Sequence, residues 1–173
     1  AVPELPPQAF VLGGAEPVWV QGQMIERGFA HAYSLSGHRA CARALQQHEN
    51  NARRARAGLW KKKSLSVFSA TAVDALLKRR NTYQVVEGRV HSVAHRRKWS
   101  FVNFSDDWKT DFTIAVAAEH RRTFKGSEMQ LDGLAGKRIR VRGWIERWNG
   151  PVIKASHPEQ LETIPVTGTD VRR

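Results

Sequence analysis

Cysteine is nearly absent from this chain. Of 173 residues, Cys41 alone carries a thiol, which excludes an internal disulfide and any metal site built from several thiolates. Long apolar runs are missing too: none approaches the roughly 18 residues that a membrane-spanning helix needs. No signal peptide is visible, and the compartment is not readable from composition. Internal repeats and low-complexity segments are also lacking. The chain opens at Ala1 rather than at methionine, so a preceding segment is expected to have been removed. Acidic groups are scarce relative to basic ones, 16 against 28, which leaves a net charge of +12. That balance favours polyanionic partners, nucleic acid first and anionic membrane surfaces second. Most of the excess lies early: residues 1–80 hold 12 basic and 5 acidic side chains, and residues 81–165 hold 14 and 10.

With 41% hydrophobic residues, the chain can bury a core. "PPQAFVL" (6–12) reads as a strand between a proline pair and a glycine pair. Val20, Met24 and Ile25 follow helical spacing up to Gly28, a C-terminal cap. Ser36 is the expected N-cap of a long helix reaching Ala57 and closed by Gly58. Its apolar stripe would be Cys41, Leu45, His48, Ala52, Ala55 and Leu59. Arg43, Arg53, Arg54 and Arg56 fall mostly off that stripe. They are a solvated helix face that suits the helix dipole, or, with Lys61, Lys62 and Lys63, a phosphate-contacting patch. A shorter helix is expected around Val73, Leu76 and Leu77, with the boundary at Lys78–Thr82.

From Tyr83 the hydrophobic period changes to two. Val86 and Val90, then Val102 and Phe104, then Phe112, Ile114 and Val116, then Ile139, Val141 and Ile145 each alternate with polar or aromatic positions. "PVIKA" supplies a fifth strand. About twenty residues, enough for a helix, separate the third strand from the fourth. Five strands with that insertion match the order of a small Greek-key barrel, the OB-fold. The predicted fold class is therefore α+β, mainly β. It consists of an N-terminal region with two to three helices, which a family resemblance over roughly residues 6–60 implies to be an incomplete OB region, followed by a five-stranded OB-like barrel. The expected divisions are residues 1–63, a helical linker 64–82, the barrel 83–165 and a frayed tail 166–173.

Two loops of the barrel pair cations with aromatics: "HRRKW" (His95–Trp99) in the first hairpin and "ERWNGP" (Glu146–Pro151) between the last two strands. OB-folds commonly bind nucleic-acid strands through these loops. Arg96, Arg97, Lys98, Trp99, Phe101, Arg147 and Trp148 are the candidate contacts there. Arg53, Arg56, Lys61 and Lys62 are candidates in the N-terminal region. The bland alternative is a hairpin with charged ends and locally packed aromatics. Asp106, Asp107 and Asp111 in "SDDWKTD" read as turn residues rather than cation ligands. "RIRVR" reads as an outer strand face, His48 and His157 as structural, and Trp60 and Trp144 as packing residues. No histidine pattern has metal-ligand spacing.

"WVQGQMIERGFAHAY" followed by "ENNARRARAGLW" resembles the C-terminal half of the staphylococcal nuclease-like (thermonuclease) domain. The carriers are Gly28 and Ala30, then Glu49, Ala52, Arg53, Gly58, Leu59 and Trp60, over roughly residues 6–60. The second half is similar to the OB-like domain that follows the nuclease domain in many bacterial thermonuclease-family proteins. The resemblance implies a calcium-dependent phosphodiesterase acting on DNA or RNA, and an exported or periplasmic setting. The family's carboxylates, base and one arginine come from segments ahead of the matched part. Its second arginine aligns near Pro3 and Glu4, and Glu16 and Glu26 are too isolated to replace a metal site. No catalytic residue, metal ligand or cofactor is therefore expected in this chain, and calcium only if an intact protein is an active nuclease. Three readings follow: a nucleic-acid binder without catalysis by this chain alone, the C-terminal portion of a calcium-dependent nuclease, or a structural subunit of a nucleoprotein assembly. The N-terminal region is expected to need a missing N-terminal half or a protein partner to complete its barrel.

Overall fold

The computed structural model describes residues 10–11, 18–61 and 67–164. The chain divides into two compact units, Ala1–Ser66 and Val67–Arg173.

In the first unit, β1 (Phe10–Val11) pairs antiparallel with β2 (Val18–Trp19), which runs directly into α1 (Val20–Glu26). Of the expected strand 6–12, Phe10 and Val11 are the described part. α1 ends in a Schellman motif. The Phe29 N–H donates to Met24 O and the Gly28 N–H to Ile25 O, both at 2.9 Å, with Gly28 at φ +72°.

The second helix, α2, spans Ala42–Arg54 and is shorter than the spacing predicted at both ends. Ser36 caps nothing there: Ser36 and Gly37 lie inside a tight turn closed by the His38 N–H on Leu35 O at 2.9 Å, and Cys41 stands at the N-cap. At the other end, Arg56 takes the left-handed conformation at φ +50° that stops a helix. The Ala57 N–H reaches back to Ala52 O at 2.9 Å, a second Schellman closure. The buried face is also rotated from the expected stripe. It runs through Ala42, Gln46, Glu49 and Ala52, while Ala55 is exposed. The rotation follows from Glu49, whose Oε1 accepts the N–H of Ala32 at 2.9 Å and so belongs inside.

The second unit is a barrel whose strands are β3 (Phe68–Ser69), β4 (Tyr83–Arg89), β5 (Ser92–His95), β6 (Trp99–Asn103), β7 (Thr113–Ala117), β8 (Arg138–Arg147), β9 (Pro151–Lys154) and β10 (Leu161–Thr163). The sheet order is β3-β4-β8-β9-β7-β6-β5, with β10 on β8. β4 and β5 are two halves of one bent strand, separated only by Val90 and His91. The first half pairs with β8 and the second with β6, so the chain itself closes the barrel. β7 and β9 run parallel, the short β3 runs parallel to β4, and the remaining barrel pairs are antiparallel, which is OB topology. The alternation read from the sequence points inward as expected: Val86, Val102, Phe112, Ile114, Val116, Ile139, Val141 and Ile145 are all fully buried. The long insertion forms a short helix, α4 (Arg121–Phe124), and turns that drive Phe124, Met129, Leu131 and Leu134 into this core.

Residues 67–82, expected as linker, belong to this unit. β3 pairs parallel with β4, and α3 (Val73–Leu77) buries Leu76 in the barrel core. "RIRVR" also differs from a plain outer face. Arg142 is 1% exposed and Arg140 11%, both paired with Glu162, and Arg140 also with Glu87. Glu162 comes from β10, which pairs with this stretch of β8 and brings the carboxylate over it.

Candidate functional site

The outer face of β5, β6, β7 and β9 is built in rows. Ala94, Phe101, Ala115 and Lys154 are cross-strand neighbours in one row, and Ser92, Asn103, Thr113 and Val152 in the next. Small side chains on β5 and β7, the two neighbours of β6, leave the aromatics of β6 standing above a shallow floor. Trp99 lies opposite Ala117 and Phe101 opposite Ala115 for the same reason.

The loop between β8 and β9 folds over this floor. The indole of Trp148 meets Trp99 edge-on with ring centroids 4.9 Å apart, and Phe101 at 6.1 Å. Such edge contacts hold a ring in place and still leave a face open. Trp148 remains 41% exposed. Lys154 Nζ stands 5.5 Å from its ring while bonded to Glu146 at 2.6 Å.

A third wall comes from the loop between β6 and β7. There Asp111 is buried, and its Oδ2 accepts the N–H groups of Phe104 and Ser105 at 2.8 and 2.9 Å. Asp107 accepts the Lys109 N–H and the Thr110 hydroxyl, at 3.2 and 2.6 Å. Asp106 pairs with His91 at 2.8 Å. These aspartates are turn residues, as read from sequence, and their turn holds up Trp108, 58% exposed with Lys109 Nζ 5.7 Å from its ring. The two loops are locked together at Gly150. A Cβ there would lie 2.2 Å from Asp111 O and 2.5 Å from Thr110 O, so only glycine admits the contact.

The result is a groove of about 420 Å³ whose walls include Arg96, Phe101, Trp108, Trp148 and Asn149, with Ser92, Asn103, Thr113 and Val152 beneath. Chemically it offers flat apolar faces, amide and hydroxyl groups, and cations at its edge. It brings Arg96, Phe101 and Trp148 together, with Trp99 behind Trp148. Arg97 and Lys98 are exposed on the turn between β5 and β6, and Arg147 is exposed at the end of β8. Trp108 was missed by sequence reasoning because its segment was read for its aspartates. The available signal was an indole in a turn already stiffened by them. Trp144, expected to pack, is 53% exposed and meets Tyr83 edge-on at 6.0 Å.

Among the described residues, the candidates of the first unit form no comparable site. The Arg53 guanidinium lies 5.8 Å from the ring of the buried Trp60, and its NH2 donates to Asn50 at 2.5 Å. Arg56 and Lys61 are exposed; Lys62 lies outside the described residues. Glu26 receives the Asn51 amide at 3.0 Å and the His48 ring at 2.7 Å. Those bonds hold its carboxyl below the ordinary 4.5, against the opposing effect of burial. Among the described residues, no three His, Cys, Asp or Glu side chains are grouped to hold a metal ion, and no helix is long and apolar enough to cross a membrane.

Several solved structures are similar to this chain. The Stn1–Ten1 complex of S. pombe matches at 12% identity and TM-score 0.36, over 47% of this chain and 57% of that one. An aspartyl-tRNA synthetase from Entamoeba histolytica matches at 12% and 0.40, over 60% and 22%. The HINb domain of p204 matches at 15% and 0.41, over 66% and 51%. This chain thus spans little more than half, or less, of each of them. No curated protein matches the sequence. The family signal lies in the first unit, where Gly28 ends α1 and Gly58 opens the turn after α2: residues 14–62 match the family Staphylococcal nuclease homologue.

Proposed function

We propose that the chain is a nucleic-acid-binding protein whose second unit holds single-stranded DNA or RNA in the groove between Trp108 and Trp148, without hydrolysing it by itself. The observation that carries this reading is the groove: partly exposed indoles from two different loops over a floor of small residues, with Arg96, Lys109 and Lys154 beside them. Unstacked bases present π-faces to such rings, at about 1–3 kcal/mol per stacked base, while cations follow the phosphates. A duplex hides those faces inside its stack, so single strands suit the groove better. The net charge of +12 supports the same class of partner.

The test is fluorescence anisotropy with labelled (dT)12 and (rU)12. Trp148→Ala is expected to weaken binding about 5- to 100-fold. The affinity should fall with salt at a log–log slope of about −0.7 for each phosphate neutralised. A flat salt response, or wild-type affinity in Trp148→Ala, removes the reading.

The family match of residues 14–62 favours one other reading, that these residues are part of a calcium-dependent nuclease. Hydrolysis by this chain in calcium separates the two.

A further inference from the structure

The turn Arg96–Lys98 does not stand alone. The Arg121 guanidinium donates to Arg96 O, and the Ala118 N–H donates to Lys98 O at 2.9 Å. The segment that opens the long insertion is thereby fastened along the cationic hairpin turn, and Arg122 follows at once, exposed. Arg96 is the joint, since its side chain lines the groove while its carbonyl is held by Arg121. Arg97 and Lys98 are exposed on the turn so fastened, and the exposed Arg122 is the chain neighbour of the arginine that holds it. Two carboxylates face histidines: Glu119 faces His120 at 3.7 Å, and Asp132 bonds His95 at 2.7 Å.

We propose that Arg97, Lys98 and Arg122 form a second, phosphate-binding station for the same strand: a single-stranded nucleic acid longer than the groove continues past Arg96 and lays its backbone on Lys98 and Arg122. The inference rests on the groove reading and adds a length requirement to it. Arg122 contacts phosphate; Arg121 is a positioning residue that presents the turn. Because the station is made of charges without stacked rings, it contributes affinity without base preference and contributes steeply with salt. OB barrels cover about 4 to 16 nucleotides, so a 4-mer fills the groove and a 12-mer reaches the station.

The experiment measures the whole chain against labelled (dT)4 and (dT)12 at several salt concentrations. Wild type is expected to bind (dT)12 at least tenfold more tightly than (dT)4. In Arg122→Glu that gain should shrink below threefold, and the (dT)12 salt slope should flatten by about 0.7 for each phosphate lost. Arg122→Lys should retain the gain, because a phosphate needs a charge here and not a fork. An undiminished length gain in Arg122→Glu overturns the proposal while the groove reading stands. If neither oligonucleotide binds wild type, the groove reading fails and this one with it. Should Arg122→Glu fold poorly, Arg122→Gln gives the same comparison with a neutral side chain.

Discussion

Gly28 and Gly58 lie far apart in sequence and back to back in the first unit. A Cβ on Gly58 would sit 2.4 Å from Gly28 O and 2.6 Å from Arg27 O; one on Gly28 would sit 2.2 Å from Ala57 O. Between them, the Leu59 N–H donates to Gly28 O at 2.8 Å. This one contact joins the end of α1 to the turn after α2, and both glycines have positive φ. Gly58→Ala therefore combines left-handed strain, about 1–3 kcal/mol, with a clash against backbone that cannot move without breaking that bond. The expected outcome is faster amide hydrogen exchange throughout α1 and α2, while the barrel amides at Val102 and Ile114 keep their protection. Unchanged exchange in the helices would refute the role given to this contact.

Among the elements, β8 carries a buried charge, Arg142. Its Arg140 and Arg142 meet Glu87 from β4 and Glu162 from β10, so one carboxylate–guanidinium network ties three strands. Arg142 is 1% exposed, and removing its carboxylate leaves a buried cation poorly compensated, at about 3–5 kcal/mol. Glu162→Gln should lower the urea midpoint of the barrel with little change in slope. Arg142→Met with Glu162→Leu should lose much less, since neither charge then remains. A small loss in Glu162→Gln alone would show that the network contributes little. This network also marks where sequence reading stopped. Period-two alternation marks β4, β6, β7 and β8, because inward apolar positions are a local property, but it marks neither β3 nor β10. That an alternate arginine of "RIRVR" becomes buried depends on β10, some twenty positions later, and no local pattern announces that pairing. The same holds for the groove: the two cation–aromatic loops were legible as loops, whereas Trp108 joined them only through the Asp111 turn and the fit of Gly150. In α2 the spacing misled, because Glu49 occupies a buried position that hydrophobic periodicity assigns to an apolar side chain.

For the whole molecule, the decisive matter is where the carboxylates are engaged. Calcium takes six to eight oxygen ligands, several of them carboxylate, and a phosphodiesterase centre adds a base and a charge-stabilising cation. In the first unit, Glu26 is engaged by Asn51 and His48, and Glu49 by Ala32 and His31. In the second, Glu87, Glu146 and Glu162 serve arginines or lysine, Asp106 and Asp132 serve histidines, and Asp107 and Asp111 fold their own turns. Each is spent singly, against a nearby donor, and nowhere among the described residues do three converge. Added calcium should accordingly leave the melting temperature of the chain unchanged apart from an ionic-strength effect matched by magnesium. Incubation with single-stranded DNA in calcium should release no acid-soluble nucleotides over hours, although the strand binds. Release that appears with calcium, disappears with chelator and follows the purified chain through size exclusion would place a hydrolytic centre within these residues, and the non-catalytic reading would be wrong.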